Sequence, residues 1–187
     1  MNLIKSSNNL RVLQTARDLA VCNIPIDNIN ADFVNNVTLL TDVSGSVKEY
    51  VGDMRNYLLN LKKQLLDLEQ YYPIIICQGF FNDKIYGNGF GFIDNMSVDI
   101  KPEGATALYD AIELFAQNSM TYAANLDLKH KKYRDIFIVV TDGADTEYTG
   151  ELSRIVDKIE RLNMYSHTVF IGLELKNTAI GKKLGFK

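Results

Sequence analysis

The 187-residue sequence contains little cysteine, no excess of basic residues and no long apolar run. Its two cysteines, Cys22 and Cys77, lie far apart, and Cys77 sits in the apolar run IIIC. A free thiol in such a run behaves as a small hydrophobic side chain, so this spacing argues against a disulfide or a cysteine metal site. The formal net charge of -3 argues against nonspecific binding to nucleic acid, because it provides no global positive field.

The sequence also lacks the signals that direct a chain into or across a membrane. No apolar stretch approaches the roughly 18 residues that a transmembrane helix needs. The start, MNLIKSSNNL, is too polar for the apolar core of a signal peptide. We therefore expect a cytoplasmic protein in a reducing compartment, with no insertion into a membrane.

What the sequence does contain is apolar material for one sizeable core, since 47% of its residues are hydrophobic. Short apolar runs alternate with longer segments of helical period. Strands are predicted at VTLLT, YPIIICQGF, DIFIVVTD and SHTVFIGL, an edge strand or hairpin at 82–100, and helices at 48–68, 107–124, 151–162 and 178–184. Strands that are apolar on both faces and separated by helices predict an α/β fold, with a mostly parallel sheet between helical layers.

The first part of the chain has a different pattern. The segment NNLRVLQTARDLAV has an amphipathic helical period, and the residues after it look like a linker. We therefore predict an N-terminal extension over residues 1–33, formed by a helix and a linker, and one domain over residues 34–187.

Polar residues at three places in the sequence suggest one shared site. The run LLTDVSGSV ends in Asp42, Ser44 and Ser46, the run IVVTD ends in Asp142, and Thr106 stands just before a helix. In an open parallel sheet, the loops at the carboxyl ends of the strands form the binding crevice. Two carboxylates and three hydroxyls on one rim suit a hard divalent cation, Mg²⁺, Mn²⁺ or Ca²⁺, rather than zinc.

Each of these residues also has an ordinary structural interpretation. Serine and threonine cap helices, aspartate often ends a strand, and Thr106 could be the N-cap of the helix that follows it. The joint occurrence of all five at one sheet edge favours a binding site.

Three segments resemble the metal-ion-dependent adhesion site of von Willebrand factor type A (vWA) domains. They are DVSGS (42–46), GATALYDAI (104–112) and VVTDGADT (139–146), and the resemblance covers about residues 34–187. It implies a doubly wound, Rossmann-like α/β fold, whose mostly parallel central sheet carries one antiparallel edge strand and has helices on both faces.

The same resemblance implies roles for the five site residues. Ser44 and Ser46 would bind the metal directly, Thr106 directly or through water, and Asp42 and Asp142 largely through waters. The expected cation is Mg²⁺, with Mn²⁺ or Ca²⁺ as alternatives.

The resemblance further implies a metal-dependent protein–protein interaction module rather than an enzyme. A metal held mainly by neutral hydroxyls keeps positive charge and an open position for the Asp or Glu carboxylate of a partner protein. Family members in bacterial cells often work beside AAA-type ATPases, so such a system is a candidate source of the partner. The partner-binding rim is predicted at Glu103, Gly143, Asp145, Glu147 and Tyr148.

Two alternatives stay open. The first is a hydrolase or phosphatase that uses Ser44 or Ser46 as a nucleophile, or Asp42 as a phosphoryl acceptor. The chain's two histidines, His130 and His167, are the obvious bases for a serine, but both are expected at the amino ends of strands, and no G-x-S-x-G elbow or P-loop is present. The second is a structural vWA module with a vestigial metal site, whose fold would not respond to cations.

Overall fold

The structure is a computed structural model that describes Ile26, Ile29 and residues 31–143 and 145–187. The predicted amphipathic helix near the start of the chain and Cys22 lie outside these residues. Among the described helices, none combines the length and apolar character that crossing a membrane requires.

The centre of the structure is a six-stranded sheet. Its strands are β1 (Phe33–Asp42), β2 (Ile74–Phe81), β3 (Ile85–Gly87), β4 (Gly91–Phe92), β5 (Lys132–Thr141) and β6 (Ser166–Gly172). The order is β3-β2-β1-β5-β6, and β4 also pairs with β2. Strand β1 is parallel to both β2 and β5, and β6 is parallel to β5. The predicted α/β class with a mostly parallel sheet is confirmed.

The antiparallel edge differs in detail from the expected single strand. Two short strands, β3 and β4, pair with different parts of β2. The Asn88 N–H, just after β3, donates to the Gln78 carbonyl oxygen over 2.9 Å. Beyond Asn88 the chain leaves the sheet. It returns so that Gly91 lies opposite Ile76. The glycine-rich sequence between the two strands therefore divides this edge in two.

Helices cover both faces of the sheet, as the apolar strands require. They are α1 (Val51–Glu69), α2 (Leu108–Leu128), α3 (Leu152–Leu162) and α4 (Thr178–Lys183), with short 3-10 turns at Gly45–Tyr50, Ile93–Asn95 and Leu175–Asn177. Met54 and Leu58 of α1 pack in one core cluster with Leu39. Phe115 of α2 and Ile155 of α3 pack in the other.

Alternation along β1 explains why the strand is apolar on both faces. Val37 and Leu39 belong to the core cluster under α1, whereas Val34 and Leu40 belong to the cluster under α2 and α3. All four side chains are fully buried or nearly so. The doubly wound arrangement follows, because each face of this strand needs its own helical cover.

The residues before β1 are held at the amino edge of the sheet by hydrogen bonds from one lysine. The Lys131 ammonium group donates to the carbonyl oxygens of Ile29 and Ala31, at 3.0 and 2.8 Å. Strand β1 begins at Phe33, and the division of the chain at residue 34 stays a prediction.

Candidate metal-binding site

Asp42 is the last residue of β1, and its carboxylate is fully buried. One oxygen accepts the Ser44 N–H over 2.8 Å, and the other accepts the Thr141 hydroxyl over 2.6 Å. Thr141 in turn accepts the N–H of Gly143 over 2.9 Å. Burial raises the pKa of the Asp42 carboxyl above its ordinary value, while these hydrogen bonds act to lower it. The carboxylate therefore ties the end of β1 to the end of β5.

The two serines lie on the turn that follows Asp42. Ser44 is fully buried, whereas Ser46 is exposed. Their hydroxyl oxygens are 3.0 Å apart. One of the two hydroxyls donates to the other when no ligand separates them, and both oxygens keep a free lone pair.

The loop that carries Thr106 lies directly against this turn. The Glu103 N–H donates to the Val43 carbonyl oxygen, and the Gly45 N–H donates to the Gly104 carbonyl oxygen, both over 2.9 Å. Gly104 has a φ of 73°, and a β-carbon there would lie 2.3 Å from an Asp83 carboxylate oxygen. Because L-amino acids rarely adopt this backbone conformation, another residue at position 104 would be strained. Thr106 itself is almost completely buried.

Asp142 completes the predicted set from the end of β5. It is half-buried and lines the same cavity as Ser46. Gly143 follows with a φ of 83°, and a β-carbon there would lie 2.7 Å from the side chain of Ile180 in α4. The structure thus brings the loops of all five predicted metal residues to one edge of the sheet.

The predicted rim residues Asp145 and Tyr148 contact the first turn of α2. One Asp145 oxygen accepts the Tyr109 N–H over 2.7 Å, and the other accepts the N–H groups of Tyr148 and Glu147. The interpretation of Thr106 as the N-cap is wrong, because Ala107 is the N-cap residue of α2. The carboxylate that accepts an N–H of the first turn belongs to Asp145. Glu103 and Glu147 are exposed.

A second side of the rim went unpredicted. A cavity of about 350 Å³ opens beside Ser46 and Asp142. Its other walls come from the 3-10 turn before α1 and the turn before α4, and include Glu49, Tyr50, Glu174, Lys176 and Asn177. The sequence gives no indication that these two turns meet. Tyr50 and Glu174, which form a hydrogen bond between them, are 124 residues apart in the chain.

Both histidines lie at the opposite edge of the sheet. His130 occupies the turn between α2 and β5 with a φ of 54°, and His167 is the second residue of β6. Neither is near the serines, as the sequence predicted.

The chemistry of the donors decides whether a cation fits. In the described part of the chain, no group of three or more His, Cys, Asp or Glu side chains could hold a metal ion. A cation at this edge would therefore depend on hydroxyl oxygens together with Asp42 and Asp142. An oxygen-only set with several neutral donors suits Mg²⁺ or Mn²⁺, which keep bound waters.

Comparison with known proteins identifies the fold. No family model matches the sequence, and no curated protein is significantly similar to it. Among solved structures, the PilB minor pilin from Streptococcus sanguinis aligns with 84% of this chain at 14% identity and a TM-score of 0.54. A manganese-loaded TRAP protein from Plasmodium vivax aligns with 82% at 17% identity and a TM-score of 0.51. The SpRpn10 VWA domain also aligns, over 82% of both chains, with 12% identity and a TM-score of 0.43.

The likenesses to the pilin and to the TRAP protein support the predicted vWA-type fold, and at such low identity they show the fold alone. The alignment spans 55% of the pilin chain and 62% of the TRAP chain.

Proposed function

We propose that this chain is a protein-interaction module that binds a carboxylate of its partner through a divalent cation held at the carboxyl edge of the sheet. The cation would be held by Ser44, Ser46, Thr106, Asp42 and Asp142. Glu103, Gly143, Asp145, Glu147 and Tyr148 form the predicted rim on one side of this site.

The observation that carries the proposal is the 3.0 Å separation of the Ser44 and Ser46 hydroxyl oxygens. Adjacent ligands of an octahedral Mg²⁺ or Mn²⁺ ion, at metal–oxygen distances near 2.1 Å, lie about 3.0 Å apart. The two hydroxyls therefore have the spacing of neighbouring ligands without any movement. The manganese-loaded TRAP structure, which shares the fold, adds support for a divalent cation.

Asp42 contributes in a different way from the serines. Each of its oxygens already accepts one hydrogen bond from the protein, and each keeps lone pairs for a metal-bound water. Its negative charge lies in a buried position, where a nearby cation would be attracted most strongly. When bound, the cation offers a coordination position that a partner's Asp or Glu carboxylate can occupy.

Binding is favoured over catalysis by the position of the histidines. A serine nucleophile needs a base within hydrogen-bond reach, and His130 and His167 lie at the far edge of the sheet. A protein partner with an exposed acidic residue, from an AAA-type ATPase system or elsewhere in the cytoplasm, stays a prediction.

Thermal unfolding in the presence of Mg²⁺ or Mn²⁺ tests the cation directly. A cation that binds only the folded state adds about 2.7 kcal/mol at 100 times its dissociation constant. For a chain of this size, that free energy corresponds to a rise of about 5 to 10 °C in the unfolding midpoint. EDTA should abolish the rise.

Ser46→Ala is the variant that separates metal binding from folding, because Ser46 is exposed. Loss of the Ser46 hydroxyl removes one hydrogen bond to Ser44 and should lower the free energy of unfolding without metal by about 0.5 to 1.5 kcal/mol. A tenfold or greater loss of cation affinity should reduce the metal-induced rise in midpoint to about half or less. Ser153→Ala, at an exposed position of α3, is the matched control and should keep the full rise. An unchanged rise in Ser46→Ala would place the cation elsewhere, and no rise in the parent chain would make the site vestigial.

A further inference from the structure

The cavity beside Ser46 and Asp142 carries an excess of negative charge. Three carboxylates line it, those of Glu49, Asp142 and Glu174, together with one ammonium group, that of Lys176. A cation at the proposed site would offset this excess next to Asp142. On the far wall, Lys176 compensates the charge of Glu174, and Glu49 would keep its negative charge.

The one basic side chain among the described lining residues is already engaged. The Lys176 ammonium group forms an ion pair with Glu174 over 2.5 Å. Glu174 also accepts the Tyr50 hydroxyl over 2.7 Å, which holds its carboxylate in place. Lys176 thus pairs with Glu174, whereas Glu49 forms none of the described ion pairs and feels the charge of Lys176 only at longer range.

A buried amide also faces this space. Asn177 lines the cavity with only 6% of its surface exposed. Its side chain makes no capping hydrogen bond to α4. A side-chain amide has an acceptor oxygen and two donor N–H groups, so Asn177 gives this wall of the cavity a polar group that can bind a ligand.

We infer that the cavity accepts a lysine or arginine side chain of the partner, adjacent to the acidic residue that reaches the cation. This inference rests on the proposed function. The partner's ammonium or guanidinium group would pair with Glu49 and donate to the side-chain oxygen of Asn177. The recognised element is then an acidic residue with a basic neighbour, rather than an acidic residue alone.

Selection from a peptide library tests the inference with the full chain and short peptides alone. The library fixes one Asp, randomises the positions around it, and is displayed on phage. It is selected on the full chain in Mn²⁺ and eluted with EDTA. Lys and Arg should be enriched at positions on one side of the fixed Asp.

Dissociation constants for a selected peptide then locate the contact. Glu49→Gln should weaken the basic peptide by about two- to fivefold, the range of an exposed ion pair. It should not weaken the same peptide with its Lys or Arg replaced by Gln, because the two changes remove one shared interaction. Glu160→Gln, an equal change of charge on the exposed face of α3, should have no effect.

The outcomes distinguish this inference from the function on which it rests. If peptides bind through Asp and cation but show no preference for Lys or Arg, the inference is wrong and the proposed function stands. The same holds if Glu147→Gln, rather than Glu49→Gln, weakens binding of the basic peptide. If no peptide binds in an EDTA-sensitive manner, the proposed function fails and the inference fails with it.

Discussion

Two buried aspartates lie at opposite ends of the same face of the sheet. Asp42 ends β1, and Asp135 lies near the start of β5, where it accepts the Ser119 hydroxyl at 2.9 Å and an N–H of the Asn36 amide. Burial raises the pKa of both carboxyl groups. They differ in what surrounds them, since Asp42 adjoins the loops of the proposed metal site and Asp135 lies under α2.

Two replacements of Asp42 differ in how many of its hydrogen bonds they remove. Asp42→Ala leaves the buried Ser44 N–H and Thr141 hydroxyl without their acceptor. This should lower the free energy of unfolding by about 1 to 3 kcal/mol without metal. Asp42→Asn keeps one acceptor oxygen, for the Ser44 N–H, and its new N–H can donate to the Thr141 hydroxyl, so it should cost less than Asp42→Ala. Urea unfolding compares the two variants, and equal losses would show that the hydrogen bonds contribute little.

Asp135 should make stability depend on pH. Because its pKa is raised in the folded state, the folded chain holds this proton more tightly than the unfolded chain does. The contribution of Asp135 to stability is therefore largest below the ordinary pKa and is lost as the pH rises through the raised value. Asp135→Asn removes this dependence, and its new N–H can donate to the Asn36 side-chain oxygen, which has no partner among the described residues.

Urea unfolding from pH 4 to pH 8 measures the effect. The stability of Asp135→Asn relative to the parent chain should increase with pH and then level off. Asp157→Asn, at an exposed position of α3, is the control and should show no such increase. A difference that is constant with pH would contradict the raised pKa.

At the level of the elements, the local pattern of the sequence predicted most of the structure. The run DIFIVVTD is β-branched and apolar, and it forms β5. Leu108, Ile112 and Phe115 recur in the sequence at the spacing of one helical face, and all three are fully buried in α2. These features could be predicted because strand and helix periods are visible over a few residues.

Contacts between distant elements could not be predicted in this way. Thr141 looks like one more β-branched strand residue, yet its hydroxyl binds Asp42 across the sheet. Asp145 looks like a rim residue, but it accepts the Tyr109 N–H at the start of α2 from 36 residues away. In each case the partner is chosen by tertiary folding, which leaves no periodic signal in the sequence.

The role of Asp145 at the start of α2 leads to a prediction for that helix. Asp145→Ala removes the acceptor of the Tyr109 N–H and of two loop N–H groups. Loss of a capping group costs about 0.5 to 2 kcal/mol, so the unfolding midpoint should fall by several degrees. Asp157→Ala, at an exposed position of α3, should change the midpoint little. Equal midpoints for the two variants would exclude a capping role.

For the whole molecule, the strand order determines where the site forms. β1 is central and is followed by crossovers to neighbours on both sides, to β2 and later to β5. The loops after β1 and β5 therefore meet at the carboxyl edge, where a parallel sheet opens a crevice. The sequence predicted this meeting from the alternation of elements, but it could not supply the walls contributed by the turn before α4.

The link between Asp42 and Thr141 also has a consequence for the rate at which the chain unfolds. These residues are 99 positions apart and lie at the carboxyl ends of β1 and β5, which pair in parallel. A contact of such high sequence separation forms late in folding. A cation bound there should stabilise the native state more than the transition state, which slows unfolding and leaves the refolding rate nearly unchanged. Stopped-flow measurements with Mn²⁺ and with EDTA should therefore differ on the unfolding limb alone, and at saturating cation the native chain should persist for roughly a hundred times longer.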